Sequence, residues 1–281
     1  MNVLVAGATG YLGRYLCAEY ARRGHHVTAL VRDTSRAEGL ADLSIEAEAT
    51  RPGTLTGVMD GVDLVVSALG ITRQADGLGY REVDFQANLN LLREAETAGV
   101  SRFAYVHVLN ADAMSGVPLV DAKSAFVETL RFSDLPATVI APTGYLSDMG
   151  DILAMARSGR VWLFGDGSKR LNPIHGADLA AAVADATDAG LGWAEIGGPD
   201  VMTQDEIARA AFAALGTEPR ITYLPDALRR AALGVLPILP RRLSGPARFF
   251  LTALGLDMVG PRFGTRRLAD HFAALARGAE T

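Results

Sequence analysis

The sequence predicts an α/β fold built on a doubly wound parallel sheet, with a smaller C-terminal region beside it. Short apolar runs alternate along the chain with helical patterns, which is typical of β-α-β units. A glycine-rich turn joins the first apolar run to the first helical pattern. With 281 residues, 49% of them hydrophobic, the chain is long enough and apolar enough to fill such a core.

Five apolar runs of strand length lie in the first half of the chain, at residues 3–6, 27–31, 64–68, 103–108 and 138–141. A helix is predicted before the fourth run, because apolar residues recur every four positions from residue 83 to residue 95. Two later helices are predicted over residues 178–188 and 203–215. The second of these begins with Thr203 and Glu206 at the spacing of a capping box.

Composition disfavours several classes of function. The net charge of −5 gives no general attraction for nucleic acid. The single cysteine, Cys17, cannot form an intrachain disulfide and suits a reducing cytoplasm. Neither a signal-peptide pattern nor a run of about 18 apolar residues is present, so a cytoplasmic protein without integral membrane insertion is expected. The oligomeric state stays open.

The glycine-rich turn predicts a binding site for a dinucleotide. Gly7, Gly10 and Gly13 lack β-carbons, so the turn can be tight and backbone N–H groups can approach a pyrophosphate at the start of the helix. Because the turn follows a strand and a second strand comes at the expected distance, a nicotinamide dinucleotide is the expected ligand. The predicted cradle consists of Gly7, Ala8, Thr9, Gly10, Tyr11, Leu12 and Gly13.

The residues after the second strand indicate which dinucleotide binds. Many NAD sites have an acidic residue at this strand end, whereas this strand ends in Arg32, and Arg36 follows. Arginines there suit a 2′-phosphate, which favours NADP(H). The alternative is that Arg32 is only solvated and that Asp33 binds the ribose.

The Gly-x-x-Gly-x-x-Gly spacing resembles the short-chain dehydrogenase/reductase superfamily, particularly its extended and atypical NmrA-like branch. Over about the first 215 residues, further segments match that family: Ser67-Ala68-Leu69-Gly70, Val83-Asp84 with Asn88, Pro142-Thr143-Gly144, and residues 172–179 with a structural His175. The resemblance implies a Rossmann core over residues 1–144, completed by residues about 172–215. Residues about 145–171 and 216–265 would form a smaller substrate-binding or lid part.

The resemblance breaks at the catalytic residues. Typical members have a Tyr-x-x-x-Lys pair in which the tyrosine donates a proton, but this chain has Leu119 four residues before Lys123. The serine that steadies the carbonyl is also missing, since His107, Val108 and Leu109 occupy its region. Lys123, one of two lysines among the 27 basic residues, is expected to hold the cofactor ribose rather than to be a surface lysine.

A different residue or group has to supply the proton. His107 is a candidate proton donor and cofactor contact because imidazole titrates near neutrality, although a hydrogen-bonded core histidine is an equal alternative. Asp121 is expected to face solvent or cap a turn. Substrate contacts are sought at Tyr145, Met149 and Phe164, which follow strands.

The resemblance implies an NADPH-dependent ketoreductase for a large apolar or aromatic carbonyl compound, with the proton supplied by a substrate hydroxyl or by water. Atypical reductases of aromatic polyketide pathways have this pattern. The alternatives are an NmrA-like regulator that senses the NADP redox state, or an accessory subunit of a quinone-linked assembly. Residues 226–263 are rich in arginine and apolar residues. They are expected to form a lid, a surface for lipid or a partner protein, or a helical cover of the core.

Overall fold

The computed structural model describes residues 1–71, 77–239 and 241–278, without the side chains of residues 241–243. Within these residues seven strands form a parallel sheet: β1 (Asn2–Ala6), β2 (His26–Val31), β3 (Leu43–Glu46), β4 (Leu64–Ser67), β5 (Arg102–Val106), β6 (Ala137–Pro142) and β9 (Trp193–Ile196). Their order in the sheet is β3-β2-β1-β4-β5-β6-β9, so the direction of winding reverses between β1 and β4. The predicted doubly wound Rossmann fold is confirmed.

Helices cover both faces of the sheet because successive strand residues point to opposite sides. Val3 and Val5 of β1 pack with α1 (Tyr11–Arg22) and α5 (Gly176–Asp188). Leu4 of the same strand packs against the opposite layer. That layer consists of a π-helical segment (Arg81–Ala87), which leads into α2 (Asn88–Thr97), and α3 (Pro118–Arg131). Cys17 of α1 is fully buried in the first layer.

Two strands end earlier than the sequence pattern predicts. The predicted strands 64–68 and 103–108 end at Ser67 and Val106. Ala68, His107 and Val108 therefore lie in loops at the carboxyl edge of the sheet, where open parallel sheets bind ligands.

A smaller layer follows the sheet in the chain. It contains α4 (Gly150–Arg157), β7 (Val161–Phe164), β8 (Arg170–Leu171), β10 (Met202–Thr203), α6 (Gln204–Ala214), β11 (Ile221–Leu224) and α9 (Leu268–Ala276). β7 pairs with β11, and β8 pairs with β10. The capping box of Thr203 and Glu206 at the start of α6 is confirmed.

Helix α6 packs in the small layer. Of the residues about 172–215, which are predicted to complete the Rossmann core, α5 and β9 pack with the main sheet. Helix α6 instead buries Ile207 and Phe212 against Leu153 of α4 and Phe272 of α9. An amphipathic pattern reveals that a helix has an apolar face, but it does not reveal which layer that face packs against.

The arginine-rich segment 226–263 forms two helices joined by a short turn. They are α7 (Asp226–Val235) and α8 (Arg241–Ala253), with a 3₁₀ turn (Leu236–Ile238) between them; residue 240 lies outside the described residues. Helix α8 packs near the start of α3, where Arg248 donates a hydrogen bond of 2.6 Å to the Gly116 carbonyl oxygen. None of the described helices is long and apolar enough to cross a membrane.

Candidate functional site

The glycine turn between β1 and α1 has the geometry of an anion cradle. Gly7 has a φ of +80°, which a residue with a side chain rarely adopts. A β-carbon on Gly13 would lie 2.1 Å from the Gly7 carbonyl oxygen, so the helix can approach the strand only without one. Gly10 begins α1 without a side-chain cap, and the first turn holds no acidic residue. The first N–H groups of α1 are therefore available to a phosphate.

A cavity of about 260 Å³ extends from this turn toward the ends of β2 and β3. Gly7, Thr9 and Gly10 line it on one side, and Arg32 and Arg36 line it on the other. Its position beside the glycine turn and the two arginines in its wall suit the half of a dinucleotide that carries adenine and a phosphorylated ribose.

Asp33, the alternative ribose ligand, is engaged elsewhere. Its carboxylate accepts hydrogen bonds from the Ser35 backbone N–H at 3.0 Å and from the Ser35 hydroxyl at 2.6 Å. These bonds cap the 3₁₀ turn Thr34–Ala37 and lower the pKa of Asp33. Asp33 does not line the cavity.

A second cavity of about 360 Å³ continues from the same turn toward α8. It shares Gly7, Gly10, Ala68 and Gly70 with the first cavity, so the two form one groove along the carboxyl edge of the sheet. Other lining residues predicted from the sequence are Tyr11, Leu12, Gly13, His107, Lys123, Pro142, Thr143, Gly144, Tyr145 and Met149. The far wall is apolar and comes from α8 and the residues after it: Phe249, Phe250, Ala253, Leu254, Leu256 and Met258.

Lys123 lies on the floor of the second cavity. Its side chain is 13% exposed, so it is not a surface lysine. The ammonium group donates a hydrogen bond of 3.1 Å to the Val106 carbonyl oxygen and lies 5.2 Å from the centre of the Tyr105 ring. These contacts hold the ammonium group beside Gly70, in the loop after β4, on a cavity that the glycine turn also lines. Its role there stays a prediction.

Asp84 is a member of this site that sequence reasoning did not assign. Its carboxylate is fully buried and lies 3.4 Å from the Lys123 ammonium. Burial raises the pKa of Asp84 to about 6, although the charge of Lys123 opposes the shift. The match of Val83-Asp84 to the resembled family was the one sign of this residue in the sequence. Asp84 and Lys123 are 39 residues apart in the chain, so the sequence does not reveal their ion pair.

The pKa of His107 differs from that of an ordinary histidine. Burial lowers its pKa to about 3, and the charges of Lys123 and Arg131 add to this effect. The expectation that it titrates near neutrality is therefore wrong, and no imidazolium is available to donate a proton near pH 7. Its ring packs edge-on against Trp193 of β9, with 5.8 Å between the ring centres. Within the described residues its Nδ1 has no hydrogen-bond partner, so the alternative of a hydrogen-bonded core histidine is not supported at that atom.

Leu119 occupies the position of the tyrosine in the Tyr-x-x-x-Lys pattern of the sequence resemblance. It lies one helical turn before Lys123, lines the second cavity and packs against Tyr80 and Ala122. Burial raises the pKa of Tyr145, a tyrosine that lines the same cavity, and the nearby carboxylate of Asp148 raises it further. A tyrosine with a raised pKa is a weaker acid than one whose pKa a lysine lowers. The site thus lacks the usual arrangement for protein-supplied acid catalysis.

Three predicted site residues do not line either cavity. Ala8 is buried inside the turn. Ser67 is buried and donates a hydrogen bond of 2.5 Å to Asn88, which shapes the loop after β4. Phe164 pairs with Leu224 between β7 and β11 in the small layer, so its contact with substrate stays a prediction.

The residues predicted to be structural have structural contacts. His175 caps α5 by accepting a hydrogen bond of 3.1 Å from the Ala177 N–H. Asp121 accepts a hydrogen bond of 2.9 Å from the Gly116 N–H and is exposed. Neither residue lines the groove.

Comparison with known proteins identifies relatives of this chain. Residues 7–189 match the profile of a protein family described as NAD(P)H-binding. The photosystem II assembly factor Ycf39 of Synechocystis sp. is 32% identical over 152 residues, which are 53% of this chain and 46% of that protein. The chloroplastic divinyl chlorophyllide a 8-vinyl-reductase of Oryza sativa subsp. indica is 31% identical over 272 residues. That alignment covers 87% of this chain and 66% of the reductase. The chain thus spans about half to two thirds of the length of these relatives.

A solved structure has the same fold. The NADPH-dependent quinone oxidoreductase of Escherichia coli, crystallised with NADPH, superimposes with a TM-score of 0.77 at 23% identity. The match covers 97% of this chain and 99% of that one. The glycine cradle therefore lies in a fold that binds a nicotinamide dinucleotide in a known protein.

Proposed function

Because the chain belongs to the NAD(P)H-binding family, we propose that it is an NADPH-dependent ketoreductase that reduces a large apolar or aromatic carbonyl compound. The observation that carries the proposal is the continuous groove, which joins the glycine cradle to an apolar chamber under α8. Two of the comparison proteins are named as reductases of an unsaturated compound or a quinone, which supports a reductase. A polyketide-like ketone is the substrate class that the sequence resemblance favours.

The arginines at the end of β2 support NADPH rather than NADH. Arg32 and Arg36 border the smaller cavity, and Asp33 is already engaged by Ser35. A guanidinium group binds a phosphate through paired hydrogen bonds. The 2′-phosphate of NADP would therefore meet positive charge, whereas the extra hydroxyl of NAD would gain little.

The chain's own residues would position the reactants and exclude water. When bound, the dinucleotide supplies a hydride to the carbonyl carbon. Lys123, oriented by Asp84 and by the Val106 carbonyl oxygen, would hold the ribose hydroxyls. The α8 wall would enclose the apolar body of the substrate, which lowers the local dielectric and aligns the carbonyl.

The proton that completes the reduction would come from a hydroxyl of the substrate or from water, since Leu119 has no proton to give. General acid catalysis contributes about 10²- to 10⁴-fold, so its loss slows a reductase without abolishing it. Substrates with a hydroxyl beside the carbonyl should therefore react fastest.

NADPH oxidation tests the proposal with a matched pair of aromatic ketones, one carrying a hydroxyl beside the carbonyl and one without it. We expect turnover with NADPH, faster for the hydroxy ketone, and weaker NADPH binding in Lys123→Ala. Binding of NADPH without turnover of either ketone, or of a quinone, would contradict the enzyme proposal.

A second candidate is a non-catalytic regulator, assembly factor or accessory subunit that binds NADP(H). Leu119 favours it because the usual acid is missing, and one relative is named as an assembly factor. Such a protein should bind NADP⁺ and NADPH with similar affinities and without turnover. Titration with both redox forms, followed by the ketone assay, distinguishes the two candidates.

A further inference from the structure

Helices α7 and α8, with the turns that follow each of them, expose an unusual concentration of large apolar side chains. Six of them lie within 27 residues and are between 38% and 82% exposed. This set, called here the α7–α8 surface, consists of Leu228, Val235, Ile238, Leu239, Phe250 and Leu254. Exposed apolar groups that cluster in this way usually mark an interaction site.

The apolar side chains follow helical stripes. Leu228 and Val235 are seven residues apart on α7 and share one helix face. Leu254 directly follows α8, and its N–H donates a hydrogen bond of 2.9 Å to the Phe250 carbonyl oxygen, so these two side chains lie one helical turn apart. Helix α7 has no buried residue. Arg229 ties it to α8 by donating a hydrogen bond of 2.9 Å to the Leu251 carbonyl oxygen. The two helices therefore present their apolar faces as one unit.

Positive charge accompanies these apolar side chains. Residues 226–263 hold six arginines and two acidic residues, a net charge of +4 in a chain whose total is −5. The arginines are Arg229, Arg230, Arg241, Arg242, Arg248 and Arg262. Both acids form ion pairs with arginine, Asp226 with Arg229 and Asp257 with Arg170. The segment thus combines exposed apolar groups with a local cationic excess.

The α7–α8 surface adjoins the opening of the larger cavity. Phe250 and Leu254 are 41% and 38% exposed, yet both also line that cavity. Side chains that face solvent and cavity at once lie at its mouth. An apolar compound could pass from an apolar environment on this surface into the cavity without crossing water.

We propose that the α7–α8 surface docks on an anionic lipid bilayer, so that the cavity opens toward the membrane. Amphipathic helices with arginines beside an apolar face bind the interface of anionic membranes in this way. The charge of the segment is complementary to anionic headgroups, whereas it would oppose a second copy of the same basic surface. The docking does not depend on catalysis, so it can hold or fail independently of the proposed reductase activity.

Co-sedimentation with vesicles tests the docking. One vesicle type contains phosphatidylcholine alone, and the other contains about one third phosphatidylglycerol. The full chain should bind the anionic vesicles and not the neutral ones, and binding should fall as salt rises, because salt screens the attraction. Ile238→Glu should lower the apparent partition coefficient about tenfold, since Ile238 is 82% exposed and its replacement adds a negative charge.

Phe132→Glu is the matched control, because Phe132 is 92% exposed at the end of α3, outside the α7–α8 surface. It makes the same kind of change and should leave vesicle binding unaltered. Circular dichroism of both variants confirms that each is folded. Equal losses in both variants, or no binding of the unaltered chain to anionic vesicles, would overturn the proposal. Dissociation of a dimer by Ile238→Glu, seen by light scattering without vesicle binding, would assign the surface to a second copy.

Discussion

Replacing Leu119 by tyrosine should give the site the acid that it lacks. Leu119 lines the larger cavity one helical turn before Lys123, so a tyrosine there would have its hydroxyl near the lysine ammonium. The positive charge would lower the pKa of the phenol and favour proton transfer. Leu119→Phe is the matched control, since it introduces the same ring without the hydroxyl.

The size of the effect depends on the substrate. A positioned general acid contributes about 10²- to 10⁴-fold, of which an acid that has not been optimised should recover at least tenfold. We expect the ratio of kcat for Leu119→Tyr over Leu119→Phe to exceed about 10 with a ketone that lacks a neighbouring hydroxyl. With the hydroxy ketone the ratio should be near 1, because the substrate already supplies the proton.

Leu119→Tyr and Leu119→Phe should both lower the stability of the fold, and because the loss is similar in each, it does not affect the ratio of their rates. Leu119 is 5% exposed and packs against Tyr80 and Ala122, so a larger ring costs roughly 1–3 kcal/mol. NADPH oxidation is measured for both ketones, after thermal unfolding and NADPH titration show that each variant is folded and binds cofactor. Equal rates of the two variants with the simple ketone would refute the reasoning that proton supply at residue 119 limits this reaction.

Three further changes test the cradle, the choice of cofactor and the buried histidine. Gly13→Ala places a β-carbon 2.1 Å from the Gly7 oxygen and should weaken NADPH binding more than tenfold by fluorescence titration. Gly53→Ala, where a β-carbon meets nothing within 4 Å, should not. Arg32→Ala should raise the Kd for NADPH about tenfold, the loss of roughly 1.4 kcal/mol, and leave the Kd for NADH unchanged by calorimetry. Because the pKa of His107 falls from about 6.5 in the unfolded chain to about 3, the unfolded chain binds the extra proton between these values, and stability is lost as pH falls through this window. Between about pH 7.5 and pH 5, the free energy of unfolding of the wild type should therefore fall by about 2 kcal/mol more than that of His107→Gln, as measured by urea unfolding. If the two proteins lose stability equally over this range, His107 does not cause the pH dependence.

The sheet and the glycine cradle could be predicted from the sequence because their signals are local. A strand-length apolar run, a turn that needs residues without β-carbons and a helical period all lie within about 30 residues. Gly7 confirms this reasoning through its φ of +80°. The capping box of α6 is equally local, and it too was predicted.

The features that the sequence did not reveal depend on contacts between distant segments. The Asp84–Lys123 pair, the packing of α6 with α4 and α9, and the α8 wall each join segments that no local pattern connects. The predicted titration of His107 near neutrality was wrong because its pKa depends on burial by residues from distant segments and not on its residue type alone. Phe164 ends a strand of the small layer, and the strand pattern alone does not reveal to which sheet a strand belongs.

The presence of Lys123 beside Leu119 separates two roles that the resemblance assigns to the lysine of the Tyr-x-x-x-Lys pattern. One role lowers the pKa of the tyrosine, and the other holds the ribose. Leu119 has no hydroxyl whose pKa the lysine could lower, so the first role is lost. Lys123 is nevertheless largely buried, and the fully buried carboxylate of Asp84 lies beside it. Burying two charges costs several kcal/mol per ion unless their geometry compensates, and apolar side chains of similar size would serve the fold as well or better. The pair is therefore better explained by a ligand that needs a cation at this position, and because Lys123 lines the groove that begins at the glycine turn, we propose that this ligand is the ribose of a dinucleotide.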